Sequence, residues 1–179
     1  MGNASTVSMP LSIDTLNGLN SDDAKAAFET CCTSTKWIEA MTSHRPYETV
    51  EQVQSAAQRH WQACEEADWL QAFEGHPKIG DVTSLRAKYA NTKGLASNEQ
   101  SGVNEASDDV LHALADGNAQ YEQQNGFIFI VFATGKSAAE MLEILNGRLQ
   151  NDREAELVNA AAQQAKITEL RINKLFGLA

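Results

Sequence analysis

The segment of this sequence best suited to acid–base chemistry is EGHPKIGDV, residues 74–82. Its histidine, His76, follows Gly75 and precedes Pro77, so the segment is predicted to form a turn with strained backbone geometry rather than to continue a helix. An imidazole gains and loses a proton near neutral pH more readily than other side chains. The turn is therefore either a structural break between two helices or a device that aims His76 at a ligand.

The other three histidines carry weaker signals. His60 precedes Cys64 by four residues, a spacing that could place two metal ligands on one helix face, but no third or fourth ligand has matching spacing. His44 is expected in a loop and His112 on the acidic surface of a helix. No metal site is predicted.

Two further positions could bind a polar ligand. Arg171 shares a predicted helix stripe with Ile167 and Leu175, where a guanidinium is costly to bury unless it is paired. It either reaches out to solvent or presents a planar fork to a carboxylate or an imide. Glu99 and Gln100 are expected in the first turn of a helix, where acidic groups either complement the helix dipole or bind the polar edges of a ligand.

Apolar residues recur at three- and four-residue spacing through most of the chain, which predicts amphipathic helices. Ser21 is the predicted cap of the first of them. The predicted helical segments are residues 21–32, 33–44, 49–64, 67–75, 81–94, 97–124, 137–149 and 152–175.

One segment departs from the helical pattern. GFIFIVFATG, residues 126–135, is rich in β-branched and aromatic residues and is bounded by glycines, which is typical of a buried strand. The chain has no second run of this kind to pair with it. We therefore expect an extended, buried connector whose backbone N–H and C=O groups find other partners, some of them on a ligand. The predicted fold class is all-α: a single-domain helical bundle with this one connector.

Length and charge restrict the classes of function. The chain has 179 residues and a formal net charge of −10, which suits one domain and argues against nucleic acid or an anionic membrane as a partner. An anionic substrate would need local cations in its site for the same reason. We expect a flexible lead-in over residues 1–15, followed by one domain over residues 16–179.

The cysteines and the N-terminus indicate no special processing. Cys31, Cys32 and Cys64 have neither zinc-type spacing nor the pattern of a disulfide framework. The start, MGNAST, matches the N-myristoylation pattern at Gly2 and Thr6, but a pattern this loose commonly arises by coincidence. No secretory signal or transmembrane run is found, so a reduced, cytoplasmic location is expected.

Taken in order, four motifs carry a resemblance to a known family. HPKIGD, SNEQ at a helix start, YEQQNGFIFIVFATG and ITELRINKLF together resemble the 2-oxo-4-hydroxy-4-carboxy-5-ureidoimidazoline (OHCU) decarboxylases of urate degradation. The resemblance covers residues 16–176, with Trp37 and Tyr47 upstream where the family also has aromatic residues. It implies an all-α fold, usually a dimer, in which residues 126–135 are a connector and not part of a sheet.

The resemblance also implies roles for individual residues. His76 corresponds to the general acid/base, Glu99 to a hydrogen-bond acceptor for the substrate, and Arg171 to the cation that binds the anionic substrate. The family serine that opens the SNEQ-type motif is Ala96 here, so a hydroxyl contact would have to come from Ser97. The implied substrate-binding positions are Pro77, Ala96, Ser97, Asn98, Gln100, Phe129, Ile130, Val131, Phe132 and Ala133.

The implied reaction is decarboxylation of OHCU to (S)-allantoin by a homodimer. The substrate is a small anion whose carboxylate sits on a hydroxylated ring carbon beside a C=N bond, and this bond can accept the electron pair that remains when carbon dioxide leaves. No cofactor is therefore expected. Two alternatives stay open: a related enzyme acting on another cyclic ureide, for example by hydrolysis, and a catalytically silent helical interaction protein.

Overall fold

The computed structural model of the chain describes residues 10–78, 81–90 and 100–179, with the backbone alone for residues 90 and 100–107. Within these ranges the chain forms nine α-helices and no β-strand. They are α1 (Ile13–Gly18), α2 (Ser21–Glu29), α3 (Thr35–Ser43), α4 (Val50–Gln62), α5 (Glu66–Glu74), α6 (Val82–Ala90), α7 (Gln100–Asn125), α8 (Ala138–Arg148) and α9 (Arg153–Leu175). The all-α prediction is confirmed.

The N-terminal end of the described chain differs from the prediction. The Ser12 hydroxyl caps α1 by accepting a hydrogen bond from the Thr15 N–H at 3.1 Å, and Leu16 of this short helix is fully buried. Before the helix, the Leu11 N–H donates to the Leu175 carbonyl at 2.8 Å. The predicted lead-in over residues 1–15 thus already contains folded chain from Leu11 onward, because a capped helix with one buried leucine is enough to hold it.

Side-chain caps determine where several helices begin. The Asn20 side chain accepts a hydrogen bond from the Asp23 N–H at 2.8 Å, so Asn20 and not the predicted Ser21 is the cap of α2. At α8 the Ser137 hydroxyl accepts from the Glu140 N–H at 3.1 Å. Each cap satisfies one backbone donor that the helix itself cannot pair.

The chain divides into two compact units. The first comprises the residues up to Gly75 together with Ala161–Ala179, and the second comprises His76–Ala160. A single domain over residues 16–179 stays a prediction.

Two tryptophans organise the first unit. The indole N–H of Trp37 donates to the Ala57 carbonyl at 3.1 Å, and that of Trp61 donates to the Ala161 carbonyl at 2.9 Å. Both indoles are thereby buried with their polar group satisfied, which avoids the cost of an unpaired donor in the core. Other fully buried large side chains of this unit are Leu16, Phe28, Met41, Phe73, Ile172 and Leu175.

The second unit is built around α7. This helix packs along α8, and it also contacts α6. Leu114 and Tyr121 of α7 and Met141 and Leu145 of α8 are buried at this helix pair. Among the helices described, none combines the length and the hydropathy that crossing a lipid bilayer requires.

The segment between α7 and α8, residues 126–137, is the connector. It begins at Gly126 with φ 82° and turns at Gly135 with φ 76°, in the left-handed region that glycine adopts without strain. The predicted buried connector is therefore present, with a glycine where the backbone leaves α7 and another before α8. Its buried side chains are Phe127, Phe129 and Ile130.

Candidate active site

Gly75, the residue before His76, is needed for a close approach between two chain segments. A Cβ at this position would lie 2.1 Å from the Thr33 Oγ1 and 2.9 Å from the Thr33 Cβ. The φ of Gly75 is −72°, which any residue adopts. The predicted strained geometry is therefore wrong at Gly75: the glycine makes room for Thr33 and relieves no backbone strain.

The end of α5, where the His76 segment begins, is fixed to the chain around Thr33. The Thr33 hydroxyl donates to the Ala72 carbonyl at 3.3 Å. The Gln71 amide is held twice: its Nε2 donates to the Thr35 Oγ1 at 2.7 Å, and its Oε1 accepts from the Thr35 N–H at 2.9 Å. These bonds lie within the first unit and define the point from which the chain continues to His76.

After Gly75 the chain is tied to α7 in the second unit. His76 is half-buried, and Pro77 is exposed. Two residues further on, the Lys78 ammonium pairs with the Glu122 carboxylate of α7 at 2.6 Å. The Lys78 side chain is 73% exposed, so the pair is worth less than about 1 kcal/mol and serves chiefly to direct the segment along α7.

A buried arginine that the sequence analysis missed holds the connector. The Arg148 side chain, from the last residue of α8, donates from Nη1 to the Ile130 carbonyl and from Nε to Glu156 Oε1 at 2.7 Å. Its Nη2 donates to the Tyr121 hydroxyl at 3.2 Å. The guanidinium carbon also lies 4.8 Å from the centre of the Phe129 ring, within cation–π distance. One planar group thus joins α7, α9 and two consecutive connector residues.

The carboxylate of Glu156 is the acceptor at the centre of this group. It is fully buried and accepts from the Tyr121 hydroxyl at 2.5 Å, from Asn151 Nδ2 at 2.9 Å and from Asn159 Nδ2 at 2.8 Å. Burial alone would raise the pKa of Glu156, but the hydrogen bonds from these three residues and from Arg148 bring it below its ordinary value. We call Tyr121, Arg148, Asn151, Glu156 and Asn159 the Arg148 cluster.

The sequence does contain a signal for Arg148. It follows Leu145 by three residues and Met141 by seven, which places an arginine on the apolar stripe of α8. The same anomaly singled out Arg171 in α9. The partner of Arg148 could not be predicted from the pattern of α8, since Glu156 lies on another helix.

Three of the connector residues predicted to contact a ligand have carbonyls that accept hydrogen bonds from the protein. The Ile130 carbonyl accepts from Arg148, the Phe132 carbonyl from Lys136 Nζ at 2.8 Å, and the Ala133 carbonyl from the Lys136 N–H at 3.0 Å. Val131, Phe132 and Ala133 are half-buried. Ile130, Phe132 and Ala133 can therefore contact a substrate through a second carbonyl lone pair, a backbone N–H or a side-chain surface, and these contacts stay predictions.

Arg171 is in a different state from Arg148. It is half-buried on α9, next to the fully buried Ile172. Among the described residues it donates no hydrogen bond and meets no carboxylate. Burial raises the pKa of the nearby Cys31 thiol to about 11, and the positive charge of Arg171 opposes that rise. Within the described part of the chain, Arg171 is thus a half-buried cation without a hydrogen-bond acceptor.

The comparisons with known proteins bear on what this arrangement does. A family model described as OHCU decarboxylase matches residues 17–173, nearly the whole chain. The chain belongs to the OHCU decarboxylase family. The resemblance found in the motifs is confirmed.

Two individual proteins to which the chain is similar agree with this result. The chain is 35% identical over 149 residues to the uric acid degradation bifunctional protein TTL of Arabidopsis thaliana, covering 83% of this chain and 46% of that protein. It is 23% identical to the 2-oxo-4-hydroxy-4-carboxy-5-ureidoimidazoline decarboxylase of Haloferax volcanii, over 93% of this chain and 96% of that protein. The chain therefore spans less than half the length of its plant relative.

A solved structure of the OHCU decarboxylase family has the same fold. The crystal structure of an OHCU decarboxylase in the presence of (S)-allantoin superposes with a TM-score of 0.67 and 33% sequence identity, covering 88% of this chain and 99% of that one. This agreement extends the family assignment from the motifs to the arrangement of the helices.

Several residues to which the OHCU decarboxylase motifs assign a role fall outside the description of the structure. Ala96, Ser97, Asn98 and Glu99 lie outside the described residues, and Gln100, the first residue of α7, is described by its backbone alone. Their contacts with substrate stay predictions. Among the described residues no group of three or more His, Cys, Asp or Glu side chains is arranged to hold a metal ion.

Proposed function

We propose that this chain decarboxylates OHCU to (S)-allantoin in urate degradation, without a cofactor. The family assignment and the names of the relatives support this reaction. Arg171 is the observation that carries it: a half-buried guanidinium without a protein partner among the described residues, in a chain of net charge −10. An acidic protein that binds an anion needs such a local cation.

The proposed chemistry assigns one task to each group. Arg171 binds the anionic substrate as a planar, permanently charged fork. Carbon dioxide leaves when the bond between the carboxylate and the hydroxylated ring carbon breaks, and the adjacent C=N takes up the electron pair. His76 delivers a proton to one face of the resulting species, which gives a single enantiomer of allantoin. Glu99 accepts hydrogen bonds from the substrate and fixes which face His76 meets.

The substrate contacts that complete the proposed site come from three segments. Pro77 shapes the turn after His76, Ser97 stands in for the family serine, and residues 129–133 of the connector border the ring. The proposed assembly is a homodimer, on the basis of the family resemblance. The proposed location is the cytoplasm, as expected from the sequence. The net charge of −10 supports a small molecule rather than nucleic acid as the partner.

Circular dichroism of the product tests the proposed function. OHCU is generated in situ from urate, and the optical activity of the allantoin formed is followed with and without the protein. We expect optically active allantoin to appear much faster than the spontaneous decay of OHCU allows. Racemic product formed at the spontaneous rate would reject the decarboxylase and leave the alternatives of another cyclic ureide or a silent protein.

A further inference from the structure

The Arg148 cluster joins four parts of the second unit at one buried point. Arg148 comes from α8, Tyr121 from α7, and Glu156 from α9, while Ile130 belongs to the connector. Arg148 is 9% exposed, and Glu156 and Tyr121 are fully buried. The connector is therefore attached to the helices through the guanidinium of Arg148, which is almost completely shielded from solvent.

Stability alone does not account for such a cluster. Burying a guanidinium and a carboxylate removes both from water, and their attraction returns about what that desolvation costs, so apolar residues of the same volume often serve equally well. The ion pair instead fixes the relative positions of the groups that it joins. A guanidinium donates in fixed directions in one plane, so its three partners cannot shift independently of one another.

The guanidinium of Arg148 contacts two consecutive residues of the connector. Arg148 donates to the Ile130 carbonyl from one nitrogen, and its guanidinium carbon lies 4.8 Å from the centre of the Phe129 ring. Further along, Lys136 closes the turn by donating from Nζ to the Phe132 carbonyl at 2.8 Å. Val131 lies between these two anchors, and the Phe132 carbonyl is the second of them. Both residues are half-buried and are thereby held at a defined position.

We infer that Arg148 is a positioning residue: through the Ile130 carbonyl, the Arg148 cluster fixes the backbone of residues 129–133 that faces the substrate. This inference rests on the proposed function, in which that backbone borders the ring. Contacts with parts of the ring away from the reacting carbon and the C=N bond act on ground state and transition state alike. Loosening the connector therefore raises KM more than it lowers kcat.

The test uses a double variant that removes both charges together. Arg148→Met/Glu156→Gln leaves no unpaired buried charge, which a single substitution would do. Asn118→Ala is the matched control, since Asn118 Nδ2 donates to the Leu114 carbonyl of its own helix α7 at 2.8 Å and so removes one hydrogen bond of the second unit outside the connector and the Arg148 cluster. Amide hydrogen exchange of peptides covering residues 126–137 is measured together with the steady-state kinetics of each protein.

We expect exchange in the connector to accelerate and KM to rise at least about tenfold in the double variant, with kcat within about threefold of the wild type. The control should leave both measurements unchanged. Unchanged exchange in a folded double variant would overturn the inference, and so would faster exchange with an unchanged KM. Should the double variant not fold, Tyr121→Phe removes one hydroxyl from the cluster, and the same two measurements decide.

The two proposals fail in different ways in this experiment. A wild-type protein that produces only racemic allantoin would reject the proposed function before any variant is compared. The exchange measurement would then still show whether the Arg148 cluster holds the connector. An active wild type with an unchanged KM in the double variant would reject the positioning role alone.

Discussion

The guanidinium of Arg148 and the carboxylate of Glu156 lie 2.7 Å apart inside the second unit, at the point where the connector meets α7, α8 and α9. Both groups have partners besides each other: Glu156 has three further donors, and Arg148 has two further acceptors. Arg171, by contrast, has no carboxylate partner among the described residues. The two arginines on apolar stripes thus differ in their surroundings within the described chain.

Removing the charge of Glu156 should destabilise the protein in a pH-dependent way. Glu156→Gln leaves Arg148 buried without its counter-charge, which costs about 3–5 kcal/mol near neutral pH. The folded pKa of Glu156 is lowered from its ordinary value of 4.5, so its stabilisation is present above that value and is lost as the pH falls through the folded pKa. In urea unfolding, the difference in the free energy of unfolding between wild type and variant should therefore decrease as the pH falls. If this difference stayed constant from neutral to acidic pH, the charge of Glu156 would not be the source of the stabilisation.

Replacing Arg171 should affect binding and spare stability. Arg171→Met removes the proposed substrate cation, and losing one partner of a desolvated charge pair costs about thirtyfold or more in kcat/KM. Unfolding should be little changed, because no ion pair within the described chain is lost. Lys174→Met, an exposed cation on the same helix, is the control and should retain full activity. Arg171→Met with wild-type kinetics would remove Arg171 from the site.

A side chain at residue 75 should disturb the start of the His76 segment. The Cβ of Gly75→Ala would lie 2.1 Å from Thr33 Oγ1, so the chain must shift, at a cost of about 1–3 kcal/mol. Thermal unfolding measures this loss, and adding Thr33→Gly should recover part of it by removing the clashing atoms. Gly147→Ala is the matched control: nothing lies within 4 Å of its Cβ, and alanine favours the helix. Equal unfolding temperatures for Gly75→Ala and the wild type would contradict the close approach.

The three cysteines should be inert in the folded protein. Cys31, Cys32 and Cys64 are buried free thiols, and burial raises the pKa of Cys31 to about 11 and that of Cys32 to about 12. Because the thiolate is the reactive form, a thiol–disulfide reagent at about pH 8 should react slowly until the protein is unfolded in urea. Rapid labelling of the native protein would show that at least one cysteine is exposed or activated.

The fold was largely predictable because its signals are local. Helical periodicity identified every helix from α2 to α9, and the isolated β-like run was correctly predicted as a connector because it had no partner strand. The short α1 was not predicted, since one buried leucine in six residues shows no period. The cap of α2 was misplaced by one residue because Asn20 and Ser21 are both good caps.

The candidate site residues were predicted from the sequence where one residue was anomalous within its own segment. Arg171 stood out on an apolar stripe, and the structure shows it half-buried and without a carboxylate partner among the described residues. The Arg148 cluster was missed because its residues belong together only in three dimensions: Tyr121 and Glu156 are 35 positions apart and meet at 2.5 Å. A sequence pattern shows which face of a helix is apolar, but not which helix that face meets.

The proposed role of His76 is to deliver the proton that makes allantoin a single enantiomer. It is tested most directly by comparing His76→Ala with His112→Ala, which removes an exposed imidazole from α7, in the circular dichroism assay of OHCU turnover. We expect His112→Ala to form optically active allantoin at the wild-type rate. His76→Ala should stay folded and give only racemic product at the spontaneous rate. Rapid formation of one enantiomer by His76→Ala would contradict this role.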